Sequence, residues 1–178
     1  MDRPKEIMLT SPKVLWITGL SGAGKTTIAR ATQDILRSKS VCTVLLDGDQ
    51  VRNVVKDESC GHDQANRLKN AYRISRLAKM IAEQGLVVIV ATMSLFHEIH
   101  DWNRKNLPHY FEIYLKVDLE TLQKRDPKGL YHKANRGKES NIVGVHLDIE
   151  EPQYPDLVIE NNENLEDVSV IAELIVAH

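Results

Sequence analysis

A glycine-rich segment with one lysine is the first part of this chain that could do chemistry. It runs from Gly19 to Thr26, reads GLSGAGKT, and matches the pattern GxxxxGK[ST] between an apolar run and an amphipathic run. Because glycines carry no side chain, successive backbone N–H groups can turn toward a phosphate, and the positive end of the following helix adds to the attraction. The pattern therefore predicts a site for the phosphates of ATP, with Lys25 on the β- and γ-phosphates and the Thr26 hydroxyl on Mg²⁺. The alternative is a glycine-rich turn that binds nothing.

A second candidate is a pair of acids in the segment LLDGDQVR. Asp47 and Asp49 end a predicted strand and are separated only by Gly48. Beside a phosphate loop, two acids can divide the work, so we expect Asp47 to position the hydration shell of Mg²⁺ and Asp49 to accept a proton from an attacking hydroxyl. Arg52, one helical turn further on, could hold an anionic acceptor. The competing interpretation is an ordinary turn in which Asp49 caps a helix.

The elements around these residues alternate between strands and helices. The run GLVVIVAT is apolar over nearly its whole length, as in a central strand buried on both faces. The predicted strands are 13–18, 41–46, 86–91, 110–116 and the run PDLVIEN, and the predicted helices are 26–38, 67–84, 119–125 and 165–177. This alternation predicts an α/β fold, a parallel sheet with helices on both faces. The loops after Ile17, Leu46 and Ala91 then share the rim at which such sheets bind ligands.

Composition limits the domain organisation and the partners. The chain has 178 residues, of which 42% are hydrophobic and 27% charged, enough for one core. We expect residues 1–13 to form a flexible arm without a signal peptide or membrane anchor, and residues 14–178 to form a single domain with a lid at about 125–150. A net charge of −2 argues against broad binding to nucleic acid or membrane. Cys42 and Cys60 are expected to be small apolar residues of a reduced, cytoplasmic protein.

Four segments together resemble the adenylylsulfate kinases, which use MgATP to phosphorylate the ribose 3′-hydroxyl of adenylyl sulfate. They are GLSGAGKTTIA, LDGDQVR, AKMIAEQGLVVIVATMS and RDPKGLYHKA, and the resemblance runs from about Val14 to Asn161. The first segment is generic, whereas LDGD.VR together with RDPKGLY is specific to that family. The resemblance implies a P-loop NTPase fold with a mobile lid, ATP and Mg²⁺ as cofactors, a small-molecule nucleotide as the acceptor, and a homodimer as a candidate assembly.

The same resemblance assigns roles by position. The residues implied to bind ATP are Gly19, Leu20, Ser21, Gly22, Ala23, Gly24, Lys25, Thr26, Thr27 and, from the lid, Arg125. Those implied to hold the acceptor are Asp49, Arg52, Arg67, Asn70, Ser94 and, from the lid, Lys128. Lys25, Asp49 and Ser94 form the implied catalytic set. Ser94 matches a serine described in the family as a phosphoserine intermediate. Because direct in-line transfer needs only positioning and charge neutralisation, we interpret it as a hydrogen-bond partner of the acceptor.

The acceptor side departs from the family pattern in four places. His62 and Ile142 stand where the family has aromatic residues, Tyr72 replaces an arginine, and MSLF, with Leu95 and Phe96, replaces ISPY. In the family the two aromatics resemble a clamp on the adenine, and base stacking contributes on the order of 1–3 kcal/mol per base. The changes suggest an acceptor with the same ribose and anionic group but a different or differently held base. His62, Leu95 and Ile142 are therefore candidate acceptor contacts.

A second branch of the family shares these unusual segments. MSLFHEIHDWNR and NIVGV look like the cytidine diphosphoramidate kinases of capsule biosynthesis. A pyrimidine needs less stacking surface than adenine does. Adenylyl sulfate is the first prediction because it dominates the family, and the cytidine nucleotide is the alternative. We expect His97 and His100 to be helix-surface or rim contacts rather than metal ligands, since no third ligand has suitable spacing.

A nucleotide-dependent switch is the non-enzyme alternative. A switch of the GTPase kind needs a motif that reads the base and a segment that responds to the γ-phosphate. The chain lacks an NKxD motif and a DxxG segment after a strand. We therefore favour a kinase, in which the γ-phosphoryl group passes in line to a ribose hydroxyl.

Overall fold

The strands and helices alternate along the chain as the sequence predicts. The computed structural model describes residues 13–56, 61, 63–126, 129, 131–132, 149–162 and 168–178. Its strands are β1 (Val14–Gly19), β2 (Thr43–Asp47), β3 (Val87–Thr92), β4 (Tyr110–Lys116) and β5 (Leu157–Glu160). Its helices are α1 (Lys25–Ser38), α2 (Gly48–Val55), α3 (Gln64–Ala82), α4 (His97–Asn106), α5 (Leu119–Arg125) and α6 (Val168–Ala177).

The described strands form one parallel sheet in the order β2-β3-β1-β4-β5. In the register of β1, Ile17 lies between Ala91 of β3 and Ile113 of β4. The chain leaves β1 toward one edge of the sheet, forming β2 and β3, and later crosses to the other edge to form β4 and β5. The predicted parallel α/β fold is confirmed, and the reversal of strand order at β1 opens a crevice beyond the carboxyl ends of the strands.

Both faces of the sheet are buried because alternate residues of β1 point to opposite sides. Val14 and Trp16 lie in one apolar cluster with residues of α3 and α4. Leu15 and Ile17 lie in the other, with residues of α1, α5 and α6. The apolar residues that recur at helical spacing along α3 are buried or half-buried, and they are Leu68, Ala71, Ile74, Leu77, Ala78 and Ile81. The sheet is thus a rigid platform whose carboxyl edge carries the candidate site.

Two local expectations need correction. Cys42 is exposed, because it precedes β2 rather than lying inside that strand. Of the two positions expected for His100, the helix surface is wrong, because Ile99, His100 and Asn103 form the inward face of α4, whereas a contact at the rim fits its bond to the Ser94 carbonyl. Cys60 and residues 1–12 of the predicted arm lie outside the described residues, as does most of the predicted lid. Within the described part of the chain, no helix is both long and apolar enough to cross a membrane.

Candidate active site

The glycine-rich loop joins the central strand directly to α1. Gly22 and Gly24 have φ angles of 83° and 96°, in the left-handed region that favours glycine, and α1 begins at Lys25. Gly19 needs a different property, since a Cβ on it would lie 2.5 Å from the backbone oxygen of Leu115 on β4. The glycines therefore let the loop curl tightly at the end of β1 and present the N-terminus of α1 to the crevice.

Side chains from distant parts of the sequence hold the backbone oxygens of this loop. Asn161 Nδ2 donates to the carbonyl of Ala23 at 3.0 Å, and the Tyr131 hydroxyl donates to the carbonyl of Ser21 at 3.1 Å. The backbone N–H of Ala23 donates to the carbonyl of Leu20 at 3.2 Å. Because hydrogen-bond donors of the protein occupy these carbonyl oxygens, they hold the loop in a conformation that can bind an anion.

Asp126 supports Tyr131 at the start of the predicted lid. Its carboxylate accepts from the backbone N–H groups of Tyr131 at 3.2 Å and His132 at 2.9 Å. Burial, and secondarily the charge of Asp126, raises the pKa of the Tyr131 phenol to about 12, so the phenol remains a hydrogen-bond donor at neutral pH. Arg125 donates to Asn161 Oδ1 at 3.4 Å. Arg125 is thus linked to the phosphate loop through Asn161, which in turn bonds the Ala23 carbonyl.

Asp47 connects the phosphate loop to α2. Its Oδ1 accepts from the backbone N–H groups of Asp49 at 2.9 Å and Gln50 at 3.3 Å, so Asp47, rather than Asp49, caps the helix. Its Oδ2 accepts from the Thr26 hydroxyl at 2.8 Å. A hydroxyl and a carboxylate oxygen so placed form a set of hard oxygen donors, which fits Mg²⁺.

A cationic pair lies beside Asp49. Asp49 is exposed, and Arg52 NH1 lies 3.9 Å from its Oδ1. Burial, and secondarily the charge of Arg52, lowers the pKa of the Arg67 guanidinium from its usual value. Arg52 on α2 and Arg67 on α3 therefore repel each other, and an anionic ligand between them would relieve that repulsion.

These residues surround one cavity of about 370 Å³. It is lined by Ser21, Gly22, Gly24, Lys25, Thr26, Thr27, Asp47, Gly48, Asp49, Arg52, Arg67, Asn70, Ala71, Ala91, Thr92 and Met93. Asn70 is 4% exposed, and its Oδ1 has no hydrogen-bond partner among the described residues. Thr92 and Met93 were not among the predicted site residues. Their position at the end of β3, on the same rim as Asp47, could have indicated them.

Other predicted site residues do not line this cavity. Leu20 and Ala23 belong to the loop but are buried, and Gly19 ends β1. Ser94 and Leu95 are 1% and 4% exposed, because the chain turns inward after Met93 and Leu95 joins the core. The predicted acceptor contacts His62, Lys128 and Ile142 lie outside the described residues.

The fold and this cavity define the class of protein. A parallel sheet runs its central strand into a GxxxxGK[ST] loop, and the Thr26 hydroxyl of that loop bonds a carboxylate at the end of β2, which β3 separates from the central strand. This is the arrangement of a P-loop NTPase. The family model for adenylylsulphate kinase matches residues 11–160, so the chain belongs to that family.

Similar proteins agree with this assignment. A cytidine diphosphoramidate kinase of Campylobacter jejuni is 41% identical over 90% of this chain and 94% of its own length. An adenylyl-sulfate kinase of Geotalea uraniireducens is 42% identical over 84% of this chain and 72% of its own. The solved structure of the Mycobacterium tuberculosis APS kinase in complex with AMPPNP and APS has a TM-score of 0.85 at 30% identity, covering 93% of this chain and 95% of that one. The protein is thus a phosphotransferase with an alcohol group as acceptor.

Proposed function

We propose that this kinase transfers the γ-phosphoryl group of MgATP to the ribose 3′-hydroxyl of a nucleotide that carries a second anionic group. Adenylyl sulfate is the first candidate acceptor. The observation that carries the proposal is the meeting of two halves in one cavity: a phosphate loop with Lys25 on one side, and Asp49 with the pair Arg52 and Arg67 on the other.

The nucleotide half supplies charge neutralisation. Lys25 Nζ donates to the carbonyl of Leu20 at 2.6 Å, and we propose that it turns to the β- and γ-phosphates when ATP binds. Thr26 and Asp47 would hold Mg²⁺, since their side-chain oxygens are already adjacent. Bound there, the metal would neutralise charge on the phosphate oxygens.

The acceptor half supplies the proton acceptor and the orientation. In the proposed reaction, the acceptor oxygen forms a bond to the γ-phosphorus, the bond from that phosphorus to the ADP oxygen breaks, and the hydroxyl proton passes to the carboxylate of Asp49. Asp49 lies at the cavity, and its carboxylate faces Arg52, the residue proposed to hold the acceptor. Arg52 and Arg67 would hold the anionic group, and Asn70 Oδ1 could accept from a hydroxyl or amino group of the acceptor.

Cytidine diphosphoramidate is a second candidate acceptor, and a specific observation favours it. Leu95 and Ile142 stand where the family pattern has other residues on the acceptor side, and Leu95 packs into the core rather than beside the cavity. The matching segment MSLFHEIHDWNR resembles the cytidine branch, and the Campylobacter jejuni relative matches nearly the whole of both chains. These features support a site with less stacking surface for the base.

The two candidates are separated by one assay. Purified protein with MgATP is given adenylyl sulfate or cytidine diphosphoramidate, and ADP release is followed; AMP and CMP serve as controls that lack the second anionic group. We expect acceptor-stimulated ADP release, and the larger kcat/KM identifies the acceptor. Binding of ATP without stimulation by either nucleotide would contradict the proposal and favour a switch.

A further inference from the structure

The second histidine of the segment HEIHDWNR has a buried partner. Nε2 of His100 lies 2.7 Å from the backbone oxygen of Ser94. Because a carbonyl oxygen can only accept, Nε2 carries the proton in this contact. The hydroxyl of Thr18 donates to the same oxygen at 3.4 Å. Side chains from α4 and from the end of β1 therefore hold the Ser94 carbonyl together.

A buried carboxylate faces the other side of the imidazole ring. Nδ1 of His100 lies 3.5 Å from Oε1 of Glu112, a residue of β4 that is 2% exposed. Arg104 donates to Glu112 Oε2 at 3.1 Å and lies 3.3 Å from Asp156 Oδ2. That same Asp156 oxygen accepts from the backbone N–H of Glu112 at 2.7 Å. Arg104 and Asp156 therefore hold Glu112 in place, whereas Glu112 Oε1 and His100 Nδ1 have no hydrogen-bond partner among the described residues.

The residue held by this network follows directly after the cavity wall. Thr92 and Met93 line the cavity, and Ser94 is the next residue in the loop between β3 and α4. The Ser94 hydroxyl is buried and has no hydrogen-bond partner among the described residues, whereas the Ser94 carbonyl is bonded to both His100 and Thr18. A shift of Ser94 would move Met93 and hence the acceptor side of the cavity.

We propose that His100 is a positioning residue for the acceptor. It acts through the Ser94 carbonyl and sets the position of the segment Thr92–Ser94. This inference rests on the proposed function, since it takes the end of β3 as part of the acceptor site. His100 would thus position the acceptor, a role that differs from phosphate binding and from proton transfer.

The test compares two substitutions at one position. His100→Leu removes the donor, whereas His100→Gln keeps a side-chain N–H that can reach the carbonyl. The matched control is His178→Leu, at an exposed histidine at the end of the chain. We expect His100→Leu to raise KM for the acceptor about tenfold and KM for ATP less than about twofold, as loss of one buried hydrogen bond on the acceptor side would do. His100→Gln should restore most of the acceptor KM, and His178→Leu should resemble the wild type.

Two results would overturn the inference. One is an equal rise in both KM values, or no rise, in His100→Leu. The other is a failure of His100→Gln to restore the acceptor KM. If His100→Leu does not fold, His100→Asn decides instead, because its amide is polar but shorter than that of glutamine and does not reach the Ser94 carbonyl that Nε2 contacts. His100→Asn should raise the acceptor KM severalfold, and an unchanged value would overturn the inference.

Failure of the proposed function would be recognised separately. If the wild type releases no ADP with either acceptor, the proposed function fails, and amide hydrogen exchange at residues 93–96 then tests the positioning. Exchange about tenfold faster in His100→Leu than in the wild type or His100→Gln would support the role of His100. Equal exchange in all three proteins would overturn it.

Discussion

The two ends of the cavity are built in different ways. The nucleotide end is formed chiefly by one continuous segment, Ser21 to Thr27, whose backbone groups and left-handed glycines form the phosphate loop. The acceptor end is assembled from side chains of α2, α3 and the end of β3, which are far apart in the sequence. A loop that binds phosphate through its backbone can be kept whatever the acceptor is. Side chains on separate elements can be substituted one at a time, and each substitution changes the acceptor end. The comparison explains how one family can keep its ATP site and alter its acceptor.

The largest expected effect tests the division of labour between the ends. We expect Asp49→Asn to lower kcat by about 10²–10⁴-fold, because the amide cannot accept the hydroxyl proton, while the Kd for ATP changes little. Steady-state kinetics and calorimetric ATP titration measure the two quantities. Asp34→Asn, at an exposed position on α1, is the matched control. A kcat near the wild-type value would remove Asp49 from the proposed role.

The second prediction concerns the close contact between Gly48, at the start of α2, and Thr92, at the end of β3. A Cβ on Gly48 would lie 2.7 Å from Thr92 Oγ1, so Gly48→Ala should destabilise the fold by about 1–3 kcal/mol despite the better helix propensity of alanine. Urea unfolding measures the change. The double variant Gly48→Ala with Thr92→Ala removes the obstructing hydroxyl and should recover part of the loss. Full stability of the single variant would show that the rim can open without penalty.

The third prediction sharpens the difference at the acceptor end. Ile142→Phe restores the family aromatic at a position outside the described residues. If stacking is the missing interaction, the ratio of kcat/KM for adenylyl sulfate to that for cytidine diphosphoramidate should rise about fivefold, at the lower end of the range for base stacking. Ile142→Leu is the control for a change of shape without an aromatic ring. An unchanged ratio in Ile142→Phe would argue against a weakened clamp.

The smallest expected effect is at the nucleotide end. Tyr131→Phe removes only the hydroxyl that donates to Ser21, so we expect ATP binding to weaken by about 0.5–1 kcal/mol, roughly two- to fivefold. The KM for the acceptor should stay the same. Tyr154→Phe, at a side chain that is 78% exposed, is the control. A change in acceptor KM larger than that in ATP affinity would break the separation of the two ends.

Much of the fold could be predicted because its signals are local. The bounds of β4 and α5 match the structure, and those of β1 differ by one residue. Two helices received no predicted bounds. Helix α2 is short, and α4 is largely polar because its inward face carries His100 and Asn103 in place of apolar side chains. A polar residue that is buried by its tertiary partners leaves no apolar periodicity in the sequence.

The candidate site likewise has features that depend on local sequence and features that depend on tertiary contacts. The sequence by itself determined the phosphate loop, because successive residues from Gly19 to Thr26 form the whole motif and their backbone does the binding. It also determined the acids Asp47 and Asp49, which follow a strand. Only the tertiary structure decided that Asp47 caps α2 and bonds Thr26, that Ser94 turns inward onto His100, and that Thr92 and Met93 line the cavity. The physical reason is that these contacts join residues brought together by the strand order, and a one-dimensional pattern does not contain that order.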